Sequence, residues 1–257
     1  MTKSTRVLAL SCGIAIIGLS LGWAKDPQVK SKKEQEAFAA MQQALQGGTP
    51  DSQLKAIEDF LTKFADTDFK VLLLTNAMQI AQQKKDTPLT ITYAERVIEA
   101  DPKNFEPYIT MAAETANNAK EFDLDRAEKT SKVQKWAQTG LESVKTYPKP
   151  FSQLPDDQWD QQKKSAAAQG HTALAMMAQV NKKYDEAIGE YKLAIETVAD
   201  PVIVFRLGEA YMKAAKWDDS TAAFDKVIAA PDTPAQVKQY AQQRKVEVAK
   251  MKSAAAK

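Results

Sequence analysis

Two stretches of this 257-residue chain repeat the same spacing of small and large residues 33 positions apart, and this periodicity limits the fold more than any other feature. The later copy reads Val204-x2-Leu207-Gly208-x2-Tyr211, then Trp217-x2-Ser220-x3-Phe224-x2-Val227 and Pro231. The earlier copy reads His171-x2-Leu174-Ala175-x2-Ala178, then Tyr184-x2-Ala187-x3-Tyr191-x2-Ala194. Further back, Leu74, Ala77, Met78 and Ala81 precede Thr90, Ala94 and Val97 and close on Asp101-Pro102, and one 34-residue period earlier stand Ala40, Ala44, Ala56 and Phe60. Spacings of 3, 4 and 7 put these residues on one face of a helix. Each unit therefore reads as two amphipathic helices, with Ala175, Gly208, Ala187 and Ser220 where the backbones approach. The short hinges Lys85-Asp86, Lys182-Lys183 and Lys216 suit tight turns between antiparallel helices. A single pair cannot bury its own apolar face, so several pairs must stack.

The copy at 204–231 resembles the tetratricopeptide (TPR) signature W-x2-L-G-x2-Y…A-x3-F…P, with Val204 for the first Trp and Ser220 for the packing Ala. The resemblance, to exported bacterial-type TPR proteins, covers roughly residues 35–234. It is strongest over 168–231 and 71–104 and weakest over 37–70. It implies an all-α, TPR-like α-solenoid of antiparallel helix pairs with a C-terminal capping helix. The domain at 35–252 then holds repeats at about 37–70, 71–104, 105–145, 168–200 and 201–234. The third unit departs most, because its second helix, with Ala127, arrives late and runs toward Val144. The prolines of Tyr147-Pro148-Lys149-Pro150-Phe151-Ser152-Gln153-Leu154-Pro155 forbid a continuous helix, making 146–156 an insertion that either braces two repeat blocks or docks a partner through Phe151 and Trp159. Asp156-Asp157 then suits a helix N-terminus. Residues 235–252 read as a polar cap helix and 253–257 as a tail.

Ahead of the repeats and a linker at 25–34, Lys3 and Arg6 precede an apolar stretch from Val7 to Leu21, then Gly22-Trp23-Ala24 and the charged Lys25-Asp26. That order matches a secretory signal peptide over 1–24, cleaved after Ala24. The uncharged run from Val7 to Ala24 sits at the short end of what spans about 30 Å of hydrocarbon, so an uncleaved inner-membrane anchor is the alternative. A lipoprotein leader does not fit, because the longer apolar run, Gly13 to Leu21, follows Cys12 instead of preceding it. The chain is thus expected to be exported, periplasmic or secreted, with membrane contact only through residues 7–24 if the segment is retained.

Composition narrows the chemistry. The one cysteine, Cys12, falls in the leader, which leaves no thiol for a disulfide or a metal in the processed chain. Removing the leader takes Lys3 and Arg6 and leaves 33 residues of each sign, so no basic face for nucleic acid is expected. Gly18-Leu19-Ser20-Leu21-Gly22 spells the G-x-S-x-G elbow of hydrolases, but that motif needs a strand-to-helix turn and a histidine partner, and this copy lies in the leader. The same residues form Gly18-x3-Gly22, a helix-packing pattern only if the segment stays in a membrane. His171, the single histidine, occupies a position where the repeat carries a large packing residue. Asp123-x-Asp125 lacks the glycine and terminal Glu of a calcium loop. No phosphate-binding glycine loop and no H-E-x-x-H is present. The chain reads as non-catalytic, with no cofactor and no metal.

In TPR proteins the first helices of successive pairs line a concave surface that takes extended peptides or helices. The resemblance places Thr75, Gln79, Gln82, Ile109, Ala113, Asn117, Thr172, Met176, Gln179, Phe205, Glu209 and Met212 on that face. Met176, Phe205 and Met212 are larger apolar groups than a solvated face requires, which makes them the expected anchors of one recognition surface. The Lys, Arg and Asn cluster with which chaperone-binding members clamp a terminal carboxylate is not evident. The functional expectation is an envelope scaffold binding protein partners, and the alternative is an extracytoplasmic small-ligand or glycan-binding protein. N-terminal sequencing of the exported protein is expected to begin at Lys25, and membrane-bound material that still begins at Met1 or Thr2 would establish the anchor instead.

Overall fold

The structure, a computed structural model, describes residues 26–256, so the expected signal segment and its cleavage site lie outside the described residues. The described residues form eleven helices and no strand. In chain order they are α1 (Lys32–Gly47), α2 (Pro50–Lys63), α3 (Lys70–Gln83), α4 (Thr87–Ala100), α5 (Phe105–Asn118), α6 (Arg126–Thr146), α7 (Asp156–Val180), α8 (Tyr184–Thr197), α9 (Pro201–Lys213), α10 (Trp217–Ala229) and α11 (Ala235–Ala255). Helices α1 to α10 pack as five consecutive pairs, each joined to the next through its second helix, and α11 lies against α10 and α9. This is an all-α, TPR-like solenoid of antiparallel helix pairs closed by a C-terminal helix.

The helix starts follow from local chemistry. Ser31, Thr49, Asp86, Asn104 and Asp200 each accept a backbone N–H in the first turn of the helix they precede, and α2, α4 and α9 carry proline there, where the missing N–H costs nothing. Asp156 and Asp157 sit inside the first turn of α7, where they complement the helix dipole, and the N-cap residue Pro155 makes no side-chain capping bond. The turns within the second, fourth and fifth pairs share one geometry. Lys85, Lys182 and Ala215 adopt φ of 58°, 61° and 56°, and the following residue donates its N–H back along the helix, as in Asp86 to the Ala81 carbonyl (3.1 Å) and Lys216 to the Tyr211 carbonyl (2.9 Å). This left-handed closure satisfies carbonyls that the helix end would otherwise leave bare.

Packing within a pair depends on small residues. A Cβ on Gly208 would stand 2.7 Å from Phe224 Cε1, and the Ser220 hydroxyl donates to the Gly208 carbonyl at 2.8 Å. Ala187, Ala194, Tyr191 and Phe224 are fully enclosed. The third pair is closed differently: Ile109 lies between two glycines, a Cβ on Gly140 of α6 meeting Ile109 Cδ1 at 2.6 Å and one on Gly170 of α7 at 2.8 Å. Because α7 begins at Asp156 and not near 168, its first turns extend beyond the repeat and bury Trp159 against Phe105 and Tyr147, with ring centroids 5.7 and 6.3 Å away. The segment 147–155 therefore runs beside an aromatic cluster, where the Tyr147 hydroxyl donates to Asp101 Oδ2 at 2.6 Å. Gly208→Leu is expected to overpack the Phe224 contact and lower stability by about 1–3 kcal/mol, read as a lower melting temperature; an unchanged melting temperature would contradict the packing described.

Candidate functional site

The first helices of the second to fifth pairs, α3, α5, α7 and α9, carry the residues expected to line the concave face, and the structure divides them into three groups. Ile109 and Met212 are not on an open face at all. Ile109 is 2% exposed, wedged between Gly140 and Gly170, and Met212 is 8% exposed in a cluster with Phe224, Val227, Ala241 and Val248. The cause is tertiary: α6 and α7 close over Ile109, and α11 supplies Ala241 and Val248 to cover Met212. Phe205 joins the same cluster, its ring 5.4 Å from that of Phe224, and Met176 packs against the clusters on both sides of it. Met212 is therefore core and not the recognition anchor expected of it, while Met176 and Phe205 are half-buried and share in the packing.

A second group is engaged in polar bracing. Gln82 Nε2 donates to Glu114 Oε1 at 3.3 Å, linking α3 to α5, and Glu114 Oε2 also accepts from the Thr87 hydroxyl at 3.0 Å. Gln179 Oε1 accepts the Tyr191 hydroxyl at 2.8 Å, and burial pushes that phenol up to about 12. Glu209 Oε1 accepts from Arg244 Nε of α11 at 3.1 Å. The Thr172 hydroxyl returns to the Ala168 carbonyl of its own helix at 2.8 Å. Thr75 is half-buried, and its hydroxyl is buried without a hydrogen-bond partner among the described residues.

The third group is open: Gln79 on α3 and Asn117 on α5 are exposed, while Ala113 is half-buried between them in sequence. Sequence reasoning missed the α5–α6 loop. There Phe122 and Leu124 stand 88% and 107% exposed. Asp123 Oδ2 accepts from Lys120 N at 2.9 Å and pairs with Lys129 at 2.7 Å, while Glu121 pairs with Lys182 at 2.6 Å. The signal was available, in that Phe and Leu alternate with acids across a connection too polar for a helix start.

His171, expected to pack, is half-buried with Nδ1 2.8 Å from Glu190 Oε2 of α8. No group of three or more His, Cys, Asp or Glu among the described residues could hold a metal ion, and no described helix is long and apolar enough to cross a membrane. A cleft of about 530 Å³ opens between the α7–α8 and α9–α10 turns. Its lining includes Lys182, Lys183, Glu186 and Lys213, and the Lys216–Asp185 ion pair (2.7 Å) joins its two walls.

The architecture is that of the tetratricopeptide-repeat fold, and solved structures share it. TTC0263, a thermophilic TPR protein of Thermus thermophilus, superposes with a TM-score of 0.54 at 14% identity over 82% of this chain and 97% of its own. A MamA protein gives 0.56 at 13% identity over 77% and 91%, and MamA from Desulfovibrio magneticus RS-1, residue 41 to its end, gives 0.50 at 12% over 78% and 96%. At these identities the likeness is one of fold. No family model matches the chain, and no curated protein matches it in sequence.

The regrouping separates stability from recognition. Met212→Ser is expected to cost about 2–5 kcal/mol, as for other buried Met truncations, whereas Gln79→Ala with Asn117→Ala should stay within about 0.5 kcal/mol of the parent. Thermal or urea unfolding checks both.

Proposed function

We propose that the chain is a non-catalytic scaffold of the cell envelope that holds an extended segment or helix of a partner protein along its first helices. The observation that carries this reading is the exposed amide row at Gln79 and Asn117 on successive first helices of a stacked-pair fold. An amide side chain offers two donors and an acceptor, which suits the main chain of a bound segment. A solenoid sets successive first helices side by side, so α3 and α5 together offer that opportunity along a surface longer than any one pocket. The small-ligand or glycan reading has less support, since ligand pockets are mostly apolar and enclosed while the 530 Å³ cleft is lined by charged turns. Placement in the envelope rests on the leader-like residues 1–24.

The test places a photo-crosslinking residue at 79, at 117 and, as a control, at the exposed position 240 on α11 in cells producing the protein. One protein species is expected to crosslink from 79 and 117 and not from 240. Gln79→Ala with Asn117→Ala should weaken capture of that species roughly tenfold or more, the scale of one lost anchor. Equal crosslinking from all three positions, or unchanged capture by the double variant, would refute the assignment to this row. Crosslinking from position 122 alone would move recognition to the α5–α6 loop.

A further inference from the structure

We infer that residues 26–31 are a strap that ties the proline-rich segment 148–155 to the first helix pair, and so restrains the curvature of the row of pairs. The strap carries no helix up to the start of α1, with Pro27 restricting its backbone and Val29 packed against the first core cluster. Its C-terminal end is fixed firmly. Lys30 N donates to Glu34 Oε2 at 2.5 Å, the 2%-exposed Glu34 accepts the Thr67 hydroxyl at 2.7 Å, and Lys30 Nζ pairs with Asp68 at 3.1 Å. Gln28 N donates to Asp68 Oδ2 at 3.3 Å. At the other end, the Asp26 carboxylate receives two bonds from a residue 126 positions away, Ser152 N at 3.0 Å and Ser152 Oγ at 2.7 Å.

What makes this contact informative is where it falls. In a stacked-repeat fold each unit touches only its neighbours, so bending accumulates freely along the row. The strap departs from that rule: it joins the first pair to the segment between the third and fourth, bypassing the second. It is also short. Four residue steps from Asp26 to Lys30 span at most roughly 14 Å when fully extended, little more than one helix diameter. Asp26 reaches Ser152 only while the α2–α3 turn and the proline-rich segment stay within that length, so the bond acts as a gauge of curvature. The far anchor is itself held, because Tyr147 bonds to Asp101 and Lys149 pairs with Asp156 at 2.6 Å. Two hydrogen bonds to one carboxylate are the stronger, charge-assisted kind, and they hold the Asp26 carboxyl below the usual carboxylate range.

The test is hydrogen exchange followed by mass spectrometry on the full chain, comparing Asp26→Ala, Ser152→Ala and the double variant. Asp26→Ala should speed exchange across 148–155 roughly tenfold, the factor expected for losing about one charge-assisted bond. The double variant should be no faster than Asp26→Ala alone, since both changes remove one interaction. Asp26→Asn, which keeps an acceptor oxygen, should fall between the parent and Asp26→Ala. Protection in α9 to α11 should not change. Unchanged exchange across 148–155, or additive effects in the double variant, would overturn the strap; faster exchange throughout the chain would show that Asp26 supports global stability and not this restraint.

Discussion

At Gly208 an added Cβ would lie 2.7 Å from Phe224, inside the distance that real side-chain contacts respect. The Phe224 ring of α10 therefore fills the space over Gly208 that a side chain on α9 would have taken. Close-packed interiors carry few voids, so this choice of small residue on one helix and large residue on the other sets the distance within the pair. The Ser220 hydroxyl adds a bond to the same Gly208 carbonyl. The fourth pair carries Ala175 where the last carries Gly208 and Ala187 where it carries Ser220, and both alanines are fully buried. Neighbouring pairs then stack with like spacing, and the solenoid follows from one contact reused.

The third pair shows what happens when that contact is replaced. Its wedge, Ile109, is shared by Gly140 and Gly170, so α5, α6 and α7 close together and the third and fourth pairs are joined more intimately than a plain repeat would allow. Aromatic pairs favour tilted and edge-on rings, and Phe105, Tyr147 and Trp159 meet at interplanar angles of 87°, 43° and 50° just beyond that wedge. The insertion is thus seated on a core of its own. Of the two roles that sequence allows the segment, brace or docking loop, these contacts support the brace, and buried Trp159 in particular is committed to packing.

The pairs themselves were legible because their signals are local: the periodicity and the turn lysines act within a few residues. The faces were not. Whether Ile109 is groove or core depends on two glycines 31 and 61 residues away, and whether Met212 is exposed depends on Ala241 and Val248 of a helix that periodicity alone reads as a polar cap. Ser220 and Gly208 were readable as a packing site because both fall within one repeat. The exposed Phe122 and Leu124 were overlooked because attention to helix faces discounts loops, and loops are where recognition residues often sit on a rigid support.

The cap helix also bears on how long a usable groove can be. By covering Met212 and drawing Glu209 into bonds with Arg244, α11 takes the place that the first helix of a sixth pair would occupy. A terminal repeat needs such a cover, since its inner face would otherwise meet water. The consequence is that the last pair gives its concave side chains to stability, and the exposed amide positions that remain lie on α3 and α5, nearer the N-terminal end. That end is also where the Asp26–Ser152 contact and the Ile109 wedge restrain movement. A partner segment bound along Gln79 and Asn117 would meet a surface whose shape is already set, so less of the association energy would go into ordering the scaffold. Amide contacts on a rigid row favour selectivity by geometry, because a misplaced segment leaves its own polar groups unpaired.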